Sequence, residues 1–261
     1  MEGLYPKDWM SYLGIATVIL RLMGFFVLVP GFSHKTIPMN VRLLLTLSLG
    51  FALYPMLKDS LGPNPETWAE IVFLVLRESI VGLLMGFVCY LTFEGIHLAA
   101  QYIGYQMGFG TAGLIDPQNQ SHESLLVPLH SWLALMVLFC TDMHHHLIQL
   151  FILSFTYTSN FHLETMGTEG ILKVLVGVSG RIFVLAIQMG APFTLLILCC
   201  NAAMGVLSRL MPQMNVMLFS FPVCILLGFC ALALFTPEIL DYLSQLMGEM
   251  GNNCVSLLKV L

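Results

Sequence analysis

From Ala191 to Phe235 the sequence carries one formal charge, Arg209, and Pro212 stands three residues beyond it. A run this long and this apolar has few possible homes, because a single bilayer span needs only about 20 residues. It must fold back on itself. Proline has no amide proton and disfavours helix in the residue before it, so the run breaks near Met211 into two helices. The product is a helical hairpin with Asn201, Gly205, Arg209, Pro212, Gln213 and Asn215 around its tip. Carbonyls left unbonded at the end of the first arm need donors there, and a charge can reach an aqueous boundary.

The rest of the chain has the same character. Of the 261 residues, 57% are hydrophobic and only 10% charged, with a mean hydropathy of +0.86, against about 25% charged in a soluble domain. The fold class is therefore all-α and polytopic, with six to eight helices in one domain, 1–261. The expected helical segments are Met10 to Phe32, Val41 to Leu57 and Ile71 to Ile115, the last too long for one span and expected to break at Glu94-Gly95. Then come Leu125 to Cys140, Leu147 to Phe155, Ile171 to Cys200, the hairpin run from Ala202 to Phe235, and a separate amphipathic C-terminal helix from Glu238 to Leu261. The first run contains Arg21 and lacks a small-residue cleavage pattern, so it reads as a retained helix and not a signal peptide.

The net charge of −5 forms no basic tract, which argues against nucleic acid as a partner. Six of the seven cysteines, all but Cys254, lie inside apolar runs and read as small buried residues, with neither a disulfide framework nor a zinc set implied. The link holding Lys35 and Arg42 is the positive one, so it is expected on the cytoplasmic side with the N-terminus opposite.

Arg21, Arg77 and Arg181 each interrupt an apolar run, where a central arginine costs about 2.5 to 3.5 kcal/mol on insertion scales. They are expected to face other helices or another subunit. Gly82 with Gly86, and Ala100 with Gly104 and Gly108, form small-residue stripes that let helix backbones approach, the three-member stripe being the stronger expectation. GFGTAG matches a dinucleotide fingerprint in letters, yet no strand precedes it, so the dinucleotide reading fails. Asp142, His144, His145 and His146 invite a metal reading; with His145 and His146 adjacent and no second cluster at ligand spacing, a polar interfacial helix end is preferred. Gly177-Val178-Ser179-Gly180 looks like an intramembrane protease motif, but no histidine base follows His162. No catalysis and no cofactor are expected.

The strings VLSRLMPQMNVMLFSFPV, QMGFGTAGLIDPQ, LFCTDMHHH and LRESIVGLLMGF, with its Arg77-Glu78 pair, together resemble the FliR/SctT family of type III secretion export-gate subunits. The DPQ ending favours the flagellar branch. The resemblance covers nearly the whole chain, and it implies one copy built with FliP and FliQ into a helical hetero-oligomer in the bacterial inner membrane, within the flagellar basal body, with FlhB nearby. It further implies a FliP-like part over about 1–165 and a FliQ-like hairpin over about 166–261, with much of the helical mass displaced to the periplasmic side. The assembly would pass unfolded flagellar axial proteins. The family's pore plug loop matches Met107 to Gln120, so Met107, Gly108, Phe109, Gly110, Gly113, Leu114, Ile115, Asp116, Pro117 and Gln118 are the candidate seal. The competing reading is a secondary transporter, which would want carboxylates near the membrane midplane and an inverted repeat.

Overall fold

The computed structural model describes residues 9–32, 37–62, 65, 67–109, 124–158, 168–211, 213 and 216–261. Seven α-helices run through them: α1 (Trp9–Leu28), α2 (Met39–Leu57), α3 (Trp68–Gln106), α4 (Leu126–Cys140), α5 (Met143–Thr158), α6 (Thr168–Leu210) and α7 (Val216–Val260). One 3-10 turn, Lys58–Ser60, follows α2. The fold is all-α, and the described residues contain no strand. Four helices, α2, α3, α6 and α7, are long and apolar enough to cross a membrane. The shorter α4 and α5, separated by the turn at Thr141 and Asp142, together carry enough apolar length for a fifth.

The hairpin break falls where proline chemistry puts it, with α6 ending at Leu210 and α7 beginning at Val216. Three other expected boundaries do not exist. Helix α3 passes through Glu94-Gly95 without interruption. Asn201 lies inside α6, and the expected C-terminal helix from Glu238 is the last part of α7, which contains Pro222 and Pro237. The common cause is that backbone groups in an apolar medium have no water to turn to, so a helix keeps its ladder wherever it can. Gly95 is there for packing: a Cβ on it would stand 3.0 Å from a Leu185 methyl.

The chain divides into two compact units. The first comprises Met1–Leu91, Asp142–Val178 and Gly248–Leu261. In it Gly24, Gly82 and Gly86 bring α1 and α3 into backbone contact: a Cβ on Gly82 would overlap the Arg21 carbonyl, and one on Gly86 would stand 2.7 Å from the Phe25 carbonyl oxygen. Dispersion across such a close crossing is what holds helices together where burial from water gives little. Phe25, Phe151 and Phe155 form the aromatic centre, with ring centroids 6.1 and 5.4 Å apart in sequence. The last part of α7 adds Met250, Cys254, Leu257 and Leu258, all buried at helical spacing.

The second unit comprises Thr92–Thr141 and Ser179–Met247. Its core takes Ile96, Ala100 and Ile103 from α3, Ala134 from α4, Phe193 and Ile197 from α6, and Leu243 and Met247 from α7. Tyr102 lies over Gly190, and its hydroxyl meets that of Thr194 at 3.1 Å. The three-member stripe behaves differently from the two-member one. Gly104 receives the Ser124 side chain just before α4, and Gly108 lies beyond the end of α3.

Candidate functional site

Two regions hold the described residues that composition singles out: a cluster of charges inside the first unit, and the hairpin with the root of the glycine-rich loop in the second.

Arg21, on α1, is 1% exposed although it carries a full charge, and its side chain is satisfied from two other helices, α3 and α5. Its Nε donates to Glu78 Oε2 of α3 at 2.6 Å, and its two terminal nitrogens donate to Ser154 Oγ at 2.8 Å and Thr158 Oγ1 at 2.9 Å on α5. Both hydroxyls are free to accept because each spends its proton on a helix carbonyl, Ser154 on Phe151 and Thr158 on Ser154. The guanidinium also lies 3.8 Å from the Phe155 ring centroid. This is the cation–π geometry that gains most where water is excluded.

Glu78 is shared. Its second oxygen stands 3.6 Å from Arg77 Nε, and Arg77 in turn donates to the Thr158 backbone carbonyl. Arg77 is 13% exposed and Glu78 2%. Two cations around one anion leave a net positive charge, and the α5 hydroxyls and carbonyl dipoles spread it. A buried pair of this kind adds little over an apolar replacement, but losing one partner strands the other at a cost of about 3–5 kcal/mol. Arg181, the third interior arginine of the sequence, is exposed on α6.

Sequence reasoning picked out Arg21, Arg77 and the Arg77-Glu78 pair and missed that Arg21 joins that pair and the hydroxyls of Ser154 and Thr158. The signal was present: Ser154 and Thr158 stand four apart in an otherwise apolar helix, and Glu78 directly follows Arg77. Four-residue spacing puts both hydroxyls on one helix face.

At the hairpin, Asn201, Gly205 and Arg209 are exposed along the last turns of α6, and Gln213 is exposed in the connection; Pro212 and Asn215 lie outside the described residues. A cation in the last helical turn complements the carbonyls exposed there. Around it Val206, Leu207, Leu210 and Met211 are also exposed, so the charge sits amid an apolar surface. Further down the arms, Cys224 Sγ approaches Asn201 Oδ1 at 3.6 Å.

Of the candidate seal, Met107, Gly108 and Phe109 are described, whereas Gly110, Gly113, Leu114, Ile115, Asp116, Pro117 and Gln118 lie outside the described residues. Met107 is fully buried with its side chain against Gly228, and Phe109 meets Phe229 edge-on at 6.1 Å. Between them Gly108 takes a φ of +96°, while its amide bonds the Tyr105 carbonyl. A side chain there would be strained and would face the Phe221 ring at 3.3 Å, so glycine is needed to turn the chain off α3. The loop therefore leaves from a root fixed to α7.

Among the described residues, one group could hold a metal: Asp142, at the turn before α5, with His144 and His145 in the first turn of that helix.

The chain matches the profile of "Bacterial export proteins, family 1" over residues 12–250. It is 28% identical to the flagellar biosynthetic protein FliR of Bacillus subtilis over 216 residues, covering 82% of this chain and 83% of that one. With FliR of Escherichia coli K12 it shares 26% over 257 residues, 97% and 95% of the two chains. With FliR of Caulobacter vibrioides the figures are 26% over 219 residues, 84% and 86%. A match over residues 12–250, which takes in both the buried charges and the hairpin, places this chain in the bacterial export protein family 1, the family of the flagellar biosynthetic protein FliR.

Proposed function

We propose that the chain is an export-gate subunit of the flagellar type III secretion apparatus, one copy joining FliP and FliQ, with FlhB adjacent, around a conduit for unfolded axial proteins. The observation that carries this reading is the span of the family match, residues 12–250, which takes in nearly every helix. Helix lengths support it. Helices α6 and α7 have 43 and 45 residues, about 65 Å each at 1.5 Å per residue, roughly twice the apolar thickness of a bilayer. Such arms suit an assembly in the inner membrane whose mass projects to the periplasmic side, where neighbouring subunits cover what lipid does not. On this reading 1–165 is the FliP-like part and 166–261 the FliQ-like hairpin. The role is structural. A transporter would need a coupling carboxylate, and Glu78, the buried one among the described residues, is engaged by Arg21 and Arg77.

In this reading the hairpin tip docks the chain into its assembly, and Arg209 is its charge. Arg209→Glu should leave the protein inserted in the membrane but abolish swimming in soft agar and copurification with FliP and FliQ. A variant that swims and copurifies normally would remove the tip from the proposal. The loop after Gly108 serves as the seal, its apolar residues excluding water and ions from a narrow passage. Deleting 108–113 should give an assembled complex that admits small solutes; one as tight as the parent would make the loop a connector.

A further inference from the structure

The turn between α4 and α5 arranges its polar residues more closely than a plain helix start requires. Thr141 closes α4, its amide bonding the Val137 carbonyl at 2.9 Å. Asp142 then takes a φ of +55°, a left-handed conformation that aspartate and asparagine tolerate better than most residues. The Asp142 carbonyl accepts from the His145 and His146 amides at 3.0 and 3.4 Å, so the residue is locked to the first turn of α5.

This places the Asp142 carboxylate 3.5 Å from His145 Nδ1, too long for a good hydrogen bond. Consecutive helical residues point about 100° apart, yet the His144 and His145 rings converge to 4.1 Å between centroids. One carboxylate oxygen and one nitrogen from each ring thus lie within 4.8 Å of one another. Ligands on a tetrahedral zinc stand about 3.3 Å apart, given bonds of about 2.0 to 2.1 Å. Small side-chain rotations close that gap. Asp142 and His145 have side chains 75% and 65% exposed, so an ion can enter, and His144 is half-buried and anchors one side.

We propose that Asp142, His144 and His145 form a binding site for a borderline divalent transition-metal cation, zinc or one of its neighbours. Two imidazoles and one carboxylate suit such ions. Calcium and magnesium prefer all-oxygen shells, and copper(I) prefers sulfur. The remaining coordination positions face solvent. The sequence offered Asp142 and three histidines and preferred a polar helix end because His145 and His146 are adjacent; the fold instead gathers His144 and His145 beside Asp142.

The site can be tested on the full-length protein in detergent, purified through a tag free of histidine and titrated with Co2+ followed by Zn2+ competition. One saturable equivalent per chain is expected, with the visible absorption of low-coordinate cobalt, lost when zinc displaces it. Changing a residue that only hydrogen-bonds a metal ligand already weakens metal sites about 10- to 100-fold, so His144→Ala, His145→Ala and Asp142→Asn should each weaken binding roughly tenfold or more. Asparagine keeps the left-handed turn, so the Asp142→Asn result reads the ligand and not the fold. His146→Ala, outside the group, should bind as the parent does. No saturable binding, or equal loss in the His146→Ala variant, or no loss in Asp142→Asn, would each overturn the site. None of these readouts depends on export.

Discussion

Arg21 is the one cation of α1 and Arg209 the one charge of the apolar run from Ala191 to Phe235, and the fold treats them in opposite ways. Arg21 is enclosed, with Glu78, Ser154, Thr158 and Phe155 all supplied by its own chain. Arg209 stands exposed in the last turn of α6 among exposed apolar side chains. The same residue type therefore answers two questions. At Arg21 it reports how three helices of one unit are tied together; at Arg209 it marks an exposed surface, which the proposed function gives to another subunit.

The largest effect should come from removing the anion of the enclosed cluster. Glu78→Ala leaves Arg21 and Arg77 buried together without a counter-charge, and the protein should lose about 3–5 kcal/mol on unfolding in mixed micelles. Replacing the pair at once, Arg21→Met with Glu78→Leu, should recover part of that loss, because the apolar pair avoids the desolvation penalty and only Arg77, which keeps the Thr158 carbonyl, loses its carboxylate. If the double variant is as unstable as Glu78→Ala, the cluster holds the helices by directed bonds and not merely by charge balance. The smallest effect is expected at the tip. Arg209→Glu should change the stability of the isolated chain by no more than about 0.5 kcal/mol, as exposed substitutions do. A loss comparable to that of Glu78→Ala would mean that Arg209 has a partner within its own chain, and the contrast would collapse.

The hairpin was legible because its cause is local: proline cannot continue a helix without losing a bond, and Pro212 follows the only charge in the run. The continuity of α3 was not legible. Gly95 looks like a break in sequence, but it serves contact with Leu185 and Ile182, and the apolar surroundings keep the ladder intact. The helix expected to start at Glu238 is likewise continuous with what precedes it, with Pro237 inside α7. Arg21 and Arg77 could be read as interior from composition, as Arg181, exposed on α6, could not, and the partners of Arg21 were out of reach because Glu78 and Ser154 lie 57 and 133 positions from it. The glycine stripes were legible as contacts but not in rank. Gly82 and Gly86 meet a helix backbone, whereas Gly108 is needed for its φ.

On the proposed function, this chain balances its buried charge internally and leaves its hairpin tip to other subunits. The most direct test is the mass of what it belongs to. The chain would be coexpressed with FliP and FliQ, extracted from membranes in mild detergent, and weighed intact by native mass spectrometry. The expected result is a hetero-oligomer containing a single copy of this chain with several copies of each partner, and its loss in the Arg209→Glu variant. Recovery of the parent only as a lone chain or a homodimer would contradict the account and return the transporter reading to the front.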